Sequence, residues 1–113
     1  MNVMIYALKQ NFEVQKAERY FKERRIPFVK VDLKKHKLGE RELELFCRAA
    51  GGAKKLFDTA AKGERADYVR VLNNDDMVFD ELLEHPELIK TPIVRNGNKV
   101  TVGFDQSAYE TWE

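Results

Sequence analysis

The start of the first helix is where this chain would be expected to carry a reactive group. The stretch "IYALKQNFEVQKAERYFKERRIPFVKVDL", residues 5–33, is typical of a strand, a turn, a helix and a second strand. Backbone N–H groups at a helix N-terminus stabilise a thiolate or another anion. The residues there are Asn11, Phe12, Glu13 and Val14, and none of them is a nucleophile. The scaffold is typical of a reactive site, whereas its central residue is not.

The other side chains capable of nucleophilic or metal chemistry are few and dispersed. Cys47 is the single cysteine, and it falls on the apolar stripe of a predicted helix, so we expect a buried structural thiol. His36 lies in a charged loop, and His85 precedes Pro86 at a helix end. No cluster has metal-ligand spacing and no glycine-rich phosphate loop is present. We therefore expect no metal.

A β-α-β unit positions the first of these residues. An apolar run at 3–6 predicts a buried strand, Asn11 is a good helix N-cap, and Pro27 should end the helix. Alternation over 29–33 predicts a second strand, and the crossover length favours a parallel, right-handed connection. The inward side of the helix is predicted to carry Val14, Ala17, Tyr20, Phe21 and Arg24.

Helices follow in the middle of the chain. The residues 40–50 predict one, ended by Gly51 and Gly52, and the segment 53–74 is predicted to hold short helical turns and loop. Asp75 or Asp76 should cap a further helix that runs to Leu83. The buried residues predicted for these two helices are Leu43, Phe46, Cys47 and Ala50, and Phe79, Leu82 and Leu83.

The tail has the clearest pattern. In "TPIVRNGNKVTVGF" two apolar runs are joined by Asn96-Gly97, which is a strong hairpin signal, with strands at 92–95 and 99–102. Asp105 can cap a final helix that carries Tyr109 and Trp112. The element order therefore predicts an α/β fold with a four-stranded mixed sheet flanked by helices.

Length and composition limit the class of protein. A chain of 113 residues forms a single domain, 1–113, and no apolar run approaches the roughly 20 residues that span a bilayer. No secretory signal is visible, and one cysteine cannot form an intrachain disulfide. We expect a cytoplasmic monomer.

The net charge of +1 hides an asymmetry. Residues 1–56 carry 14 Lys/Arg against 7 Asp/Glu, and residues 57–113 carry 6 against 12. Two interpretations stay open: the halves attract each other, or a basic face meets nucleic acid or an acidic partner. Nucleic acid is the weaker choice because aromatic residues do not interleave with the basic ones. That face would be centred on Lys30, Lys34, Lys35, His36 and Lys37.

Three segments resemble one family with the thioredoxin fold. "IYALKQNFEVQKAERYF" is similar to the opening of the ArsC-type arsenate reductases, a family that includes the Spx regulators. "LLEHPELIKTPIVRNG" resembles the family segment that carries a cis-proline facing the active site, here Pro92. "VTVGFDQSAYETWE" resembles the ending of its short members. The resemblance implies a thioredoxin-like fold and descent from thiol-dependent enzymes.

The resemblance also identifies what this chain lacks. Five residues after Tyr6 the family has its reactive cysteine, and this chain has Asn11. Spx-type members carry a second cysteine at the position of Val14. Asparagine keeps the helix cap but cannot ionise or attack as a thiolate. The family's thiol chemistry is therefore not expected at this position.

The family's oxyanion-binding arginines are also missing. The resemblance assigns them to the positions of Thr91, Asp58 and Val102. Lys9 or Lys16 could replace one lost cation but not three. Arsenate reduction is therefore not the expected activity.

Two classes of function remain. The first is a non-enzymatic binding or regulatory module, with a peptide, glutathione or the transcription machinery as candidate partners, since Spx-type relatives bind RNA polymerase. The alternative is a glutaredoxin-like or arsenate-reductase-like oxidoreductase that takes its thiol from glutathione, a partner or Cys47. The residues predicted to bind in the first case are Lys9, Asn11, Phe12, Lys16, Thr91 and Pro92.

Overall fold

The computed structural model describes residues 1–112 and confirms the α/β architecture. Each predicted strand is present, with bounds within one residue of those expected from the sequence. The elements in chain order are β1 (Val3–Ala7), α1 (Phe12–Glu23), β2 (Phe28–Asp32), α2 (Glu40–Ala50), α3 (Ala53–Leu56), α4 (Glu64–Arg70), α5 (Asp75–Glu84), a 3-10 turn (Pro86–Leu88), β3 (Ile93–Asn96), β4 (Lys99–Val102) and α6 (Gln106–Trp112).

The four strands form one mixed sheet in the order β2-β1-β3-β4. β1 runs parallel to β2 and antiparallel to β3, so Tyr6 lies between Val31 and Ile93. β3 and β4 form the antiparallel hairpin. Because β1 and β3 run in opposite directions, the end of β1 lies beside the start of β3. This arrangement brings Asn11 next to Thr91 and Pro92.

One face of the sheet is covered by α1 and α6. Ile5 is fully buried there among aromatic rings, and the centroids of Phe21 and Tyr109 lie 5.0 Å apart. The ring centroids of Trp112 and Tyr109 lie 5.2 Å apart. We call this group the α1-side core. Val14 and Ala17 contribute to the same helix face, as the periodicity of the sequence predicts.

The opposite face holds the larger core, under α2, α3 and α5, which we call the α2-side core. Tyr6 follows Ile5 along β1 and therefore points to this side. Its ring packs edge-to-face against that of Phe46, with 4.9 Å between the ring centroids. Leu56 and Leu82 are fully buried in the same group. None of the helices in residues 1–112 is both long and apolar enough to cross a membrane.

The end of α1 differs from the prediction. Pro27 does not end the helix; the helix stops at Glu23, and Arg25 adopts a left-handed conformation with φ of 56°. The N–H of Ile26 then bonds the carbonyl of Phe21 at 2.9 Å. Because the chain has already turned, Arg24 caps the helix and is exposed, not buried.

β2 is an edge strand, so the apolar residues of its alternating pattern are not all buried. Val29 is 60% exposed, whereas Val31 is half-buried against the α2-side core. A strand at the edge of the sheet has side-chain neighbours on one adjacent strand only, here β1, so fewer side chains surround Val29. The pattern correctly predicts a strand but not which of its residues are buried.

Two turn and cap residues are also corrected. The hairpin loop consists of Gly97 and Asn98, because Asn96 still pairs with Lys99. Gly97 has φ of 62°, the conformation that the first loop residue of a type II′ turn needs. Asn74, not an aspartate, caps α5, through bonds from the N–H groups of residues 76 and 77.

Asp75 connects two helices instead of capping its own. Its carboxylate accepts the N–H groups of Ala53 at 3.0 Å and of Lys54 at 2.9 Å, at the start of α3. These two bonds lower the pKa of Asp75. In α5 itself, Val78 and Leu82 are fully buried, whereas Phe79 and Leu83 are half-buried.

Removing this carboxylate should weaken the fold measurably. We expect Asp75→Ala to lower the free energy of unfolding at pH 7 by about 1 kcal/mol, as for loss of a helix cap. Since the folded pKa is depressed, the contribution is present above the unfolded value of about 3.9 and disappears as pH falls through the folded pKa. Urea unfolding at pH 7 and in acid measures this.

Asp76→Ala is the matched control, because Asp76 lies in the same first turn and its side chain accepts no hydrogen bond within residues 1–112. Equal losses in the two variants would contradict the connecting role of Asp75.

Candidate functional site

Asn11 is the N-cap of α1, as predicted. It has an extended backbone, and its side-chain oxygen accepts the N–H of Val14 at 2.8 Å. Its amide nitrogen lies 3.5 Å from the hydroxyl oxygen of Thr91, the outer limit of a hydrogen bond. Asn11 therefore fixes the start of α1 and contacts the residue that precedes Pro92.

The Thr91–Pro92 peptide bond is cis, which confirms the prediction for this proline. Pro92 is buried, and its carbonyl accepts the N–H of Gly103 at 2.8 Å. Thr91 lies two positions before Ile93, the first residue of β3. Within residues 1–112, its own N–H and C=O pair with no other backbone group. A free backbone segment is thus present beside the start of α1.

A cavity of about 400 Å³ lies at this point. The three positions that the resemblance assigns to oxyanion arginines, Asp58, Thr91 and Val102, all line it, together with Asn11. We call it the Asn11 cavity. Its remaining lining residues are Glu13, Lys90 and Gly103.

The charged residues that line the Asn11 cavity give it a net negative charge. Glu13 and Asp58 bring two carboxylates, and Lys90 brings one ammonium. A carboxylate oxygen of Glu13 accepts the N–H of Phe104 at 3.1 Å, which holds it against Gly103. Two carboxylates would repel an arsenate-like oxyanion. Lys90 was not singled out by the sequence patterns.

The structure does not bring the two candidate lysines into this cavity. Lys9 is exposed and lines a different cleft, beside β2. The ammonium of Lys16 lies 4.9 Å from the ring centre of Phe12 and 5.7 Å from that of Phe104. Phe12 itself is 72% exposed. Lys16 and Phe12 therefore form a flank outside the cavity, and neither lysine is placed to replace an arginine within it.

The proposed basic face is partly neutralised. Lys30 lies 2.8 Å from a carboxylate oxygen of Glu18 and also bonds Gln10. His36 is 3.1 Å from Glu42 and packs against the ring of Tyr6. Lys34, Lys35 and Lys37 remain exposed.

A hydrogen-bonded group that the sequence analysis missed joins β1 to α2. The hydroxyl of Tyr6 donates to Glu42 at 2.8 Å, and the N–H of Gly39 donates to the same carboxylate at 3.1 Å. Burial raises the pKa of Tyr6 to about 12. Burial opposes ionisation of Glu42, but the bonds from Gly39, Tyr6 and His36 lower its pKa. The available signal was Glu42 at the third position of a helix, which is typical of a capping box.

Cys47 lies in the α2-side core, as predicted, with 9% of its surface exposed. Burial raises the pKa of its thiol to about 11, and the charges of Asp75 and Glu44 act in the same direction. It does not line the Asn11 cavity.

Cys47 should therefore react slowly in the native protein. We expect labelling by a charged thiol reagent at pH 7 to be at least tenfold slower than in urea, because the thiol must both become accessible and ionise. The measurement is the labelling rate with and without urea. Native labelling at the rate of a free peptide thiol would show that Cys47 is available for redox chemistry.

The sequence matches one protein family, and the fold is similar to those of several solved structures. The ArsC family model matches residues 6–112. No curated protein matches the sequence significantly. Among solved structures, an ArsC family related protein from Bacteroides fragilis has a TM-score of 0.79 at 20% identity, with full coverage of both chains.

Two further structures show the same fold. An arsenate reductase from Vibrio cholerae has a TM-score of 0.75 at 18% identity, covering 99% of this chain and 96% of that one. An arsenate reductase (ArsC) related protein from Brucella melitensis has a TM-score of 0.66 at 24% identity, covering 99% and 94%. At these identities the likeness concerns the fold, which is the predicted thioredoxin-like one.

Proposed function

Because this chain belongs to the ArsC family, we propose that it is a member that has lost the thiol chemistry and acts as a non-enzymatic binding or regulatory module. The proposal rests on the residues that line the Asn11 cavity. Asn11 lies in this cavity at the position that the resemblance assigns to the nucleophile, and Asp58 and Thr91 lie at two of the positions that it assigns to arginines. The fold remains, while none of the described residues that line this cavity is a cysteine or an arginine.

The free backbone of Thr91 suits an extended peptide as the ligand. A peptide that runs past Pro92 can exchange hydrogen bonds with the N–H and C=O of Thr91, as when a strand is added to a sheet. Its side chain can reach Glu13 and Asp58. These carboxylates favour a peptide with Lys or Arg and disfavour glutathione, which carries two carboxylates of its own. The partner is therefore proposed to be a basic segment of a protein.

The alternative, an oxidoreductase, would need a thiol from elsewhere. Cys47 is a poor source because it is buried and its pKa is raised. Glutathione or a partner would have to supply the thiol. We propose that the protein is cytoplasmic and that a basic segment of the transcription machinery is a candidate partner.

A short peptide titration tests the proposal. Acetyl-Ala-Ala-Lys-Ala-amide should shift the amide resonances of Asn11, Thr91 and Gly103 in the ¹⁵N-labelled protein, and the same peptide with Glu for Lys should shift them less. Asp58→Asn should reduce the preference for lysine about two- to fivefold, as expected for an exposed charge pair.

Asp76→Asn, on an exposed turn of α5, is the control and should leave the preference unchanged. Absence of shifts with both peptides at millimolar concentration would refute peptide binding. Reduction of arsenate by glutathione and wild-type protein, at a rate above the uncatalysed one, would favour the alternative.

A further inference from the structure

A second cavity, of about 650 Å³, lies between α2 and the β3–β4 hairpin. It shares no lining residue with the Asn11 cavity. It is on the α2 side of the sheet, where Arg95 and Val100 are cross-strand neighbours. We call it the hairpin cavity. Nothing in the proposed function uses it.

Three guanidinium groups line the hairpin cavity. Arg41 and Arg48 are seven positions apart on α2 and so lie on the same helix face, while Arg95 comes from β3. Within residues 1–112, neither Arg41 nor Arg48 has a carboxylate within ion-pair distance. The Nε of Arg95 donates to the carbonyl of Gly97 at 3.0 Å, which fixes this side chain along the hairpin.

The carboxylates in the lining do not balance these charges. Glu42 accepts bonds from the Tyr6 hydroxyl, the Gly39 N–H and His36, which orient its carboxylate but leave its negative charge in place. Glu44 is exposed and makes no ion pair in the described part of the chain. Three arginines against two carboxylates leave the lining with a net charge of +1.

The rest of the lining is apolar. Leu45 lies between the two helical arginines in sequence, and Val100 faces it from β4. Ala49 lies four positions beyond Leu45, about one helical turn further along the same face of α2. A ligand that matches the cavity therefore has an anionic end and an apolar body. Guanidinium forks bind phosphate oxygens in pairs, with planar geometry that a carboxylate or phosphate fits.

We propose that the hairpin cavity binds a small organic phosphate. The phosphate contacts the guanidinium groups of Arg41, Arg48 and Arg95, and the apolar body lies on Leu45 and Val100. The amide of Asn98 is available for a polar substituent of the ligand. The site is separate from the peptide site, so either can fail in experiment without the other.

Calorimetric titration with phenyl phosphate tests the proposal. We expect binding that weakens about tenfold or more in Arg41→Gln and in Arg48→Gln, since each variant removes a charge-assisted hydrogen bond. Both side chains are exposed, so the variants should fold normally. Arg19→Gln makes the same charge change on α1, across the sheet, and should leave the affinity unchanged.

Two further probes separate the parts of the site. Benzyl alcohol lacks the charge and should not bind, and inorganic phosphate lacks the apolar body and should bind more weakly than phenyl phosphate. Absence of heat with millimolar phenyl phosphate, or equal affinity in wild type and both α2 variants, would overturn the proposal. Inorganic phosphate binding as tightly as phenyl phosphate would overturn the role of the apolar surface.

Discussion

Asn11→Cys should convert this chain into a protein that oxidised glutathione modifies readily. The new thiolate would attack one glutathione sulfur, form a mixed disulfide and release one reduced glutathione. The thiol would lie at the N-terminus of α1, where the N–H of Val14 loses its present acceptor. That N–H and the positive end of the helix dipole stabilise a thiolate, so we expect a pKa below the roughly 8.5 of a free cysteine.

The surrounding carboxylates limit this effect. Glu13 and Asp58 line the same cavity and repel a thiolate, so Asp58→Asn in the same background should lower the pKa further. The loss of the cap should cost about 1 kcal/mol of stability. Arsenate should still not be reduced, since Thr91, Asp58 and Val102 supply no guanidinium to hold the oxyanion.

The measurement is the pH dependence of alkylation, with Cys47 replaced by Ala. Val71→Cys provides the matched control, because Val71 is 73% exposed and caps the C-terminus of α4, where the dipole opposes a thiolate. A pKa at position 11 equal to or above that of the control thiol would contradict its placement at an anion-stabilising helix start.

Glu42→Ala should cause the largest loss of stability among the surface-accessible positions considered. Tyr6 is fully buried, and its hydroxyl would lose the Glu42 carboxylate and keep only the sulfur of Met4 at 3.8 Å as a weak acceptor, while the start of α2 would lose the bond from the Gly39 N–H. A poorly satisfied buried donor and a lost cap together cost about 2 kcal/mol, which lowers Tm by roughly 10 °C for a domain of this size.

The pH dependence of this effect has a definite sign. The folded pKa of Glu42 is lowered, so its contribution is present above the unfolded value of about 4.3. The contribution is lost as pH falls through the folded pKa. The difference in unfolding free energy between wild type and variant should therefore shrink in acid. Glu44→Ala, two residues along the same helix, should change stability by less than about 0.5 kcal/mol. Equal losses in the two variants would contradict the role assigned to Glu42.

Local patterns predicted most of the fold. The strands, the hairpin and the bounds of α2 follow from short-range periodicity and from Gly51 and Gly97, which adopt positive φ at the ends of elements. Asn11 as a cap and Cys47 as a core residue could also be predicted, because each depends on neighbours within one helix.

The features that were missed depend on partners distant in sequence. Asp75 bonds Ala53, which lies 22 positions away, and Tyr6 bonds Glu42, which lies 36 positions away. No periodicity encodes such pairs. The left-handed Arg25 is a local exception, since a non-glycine residue at positive φ has no simple sequence signal. The charge of the Asn11 cavity likewise required the positions of Glu13 and Lys90 in space.

Trp112, which stacks on Tyr109, and Cys47 lie on opposite faces of the sheet, so each can report on the unfolding of its own half of the molecule. Trp112 is the single tryptophan and belongs to the α1-side core, so its fluorescence follows that half alone. Cys47 belongs to the α2-side core, and its labelling follows the other half. If the sheet between them makes unfolding cooperative, the two signals will share one midpoint in denaturant. Separate midpoints would mean that the two faces of the sheet unfold one after the other.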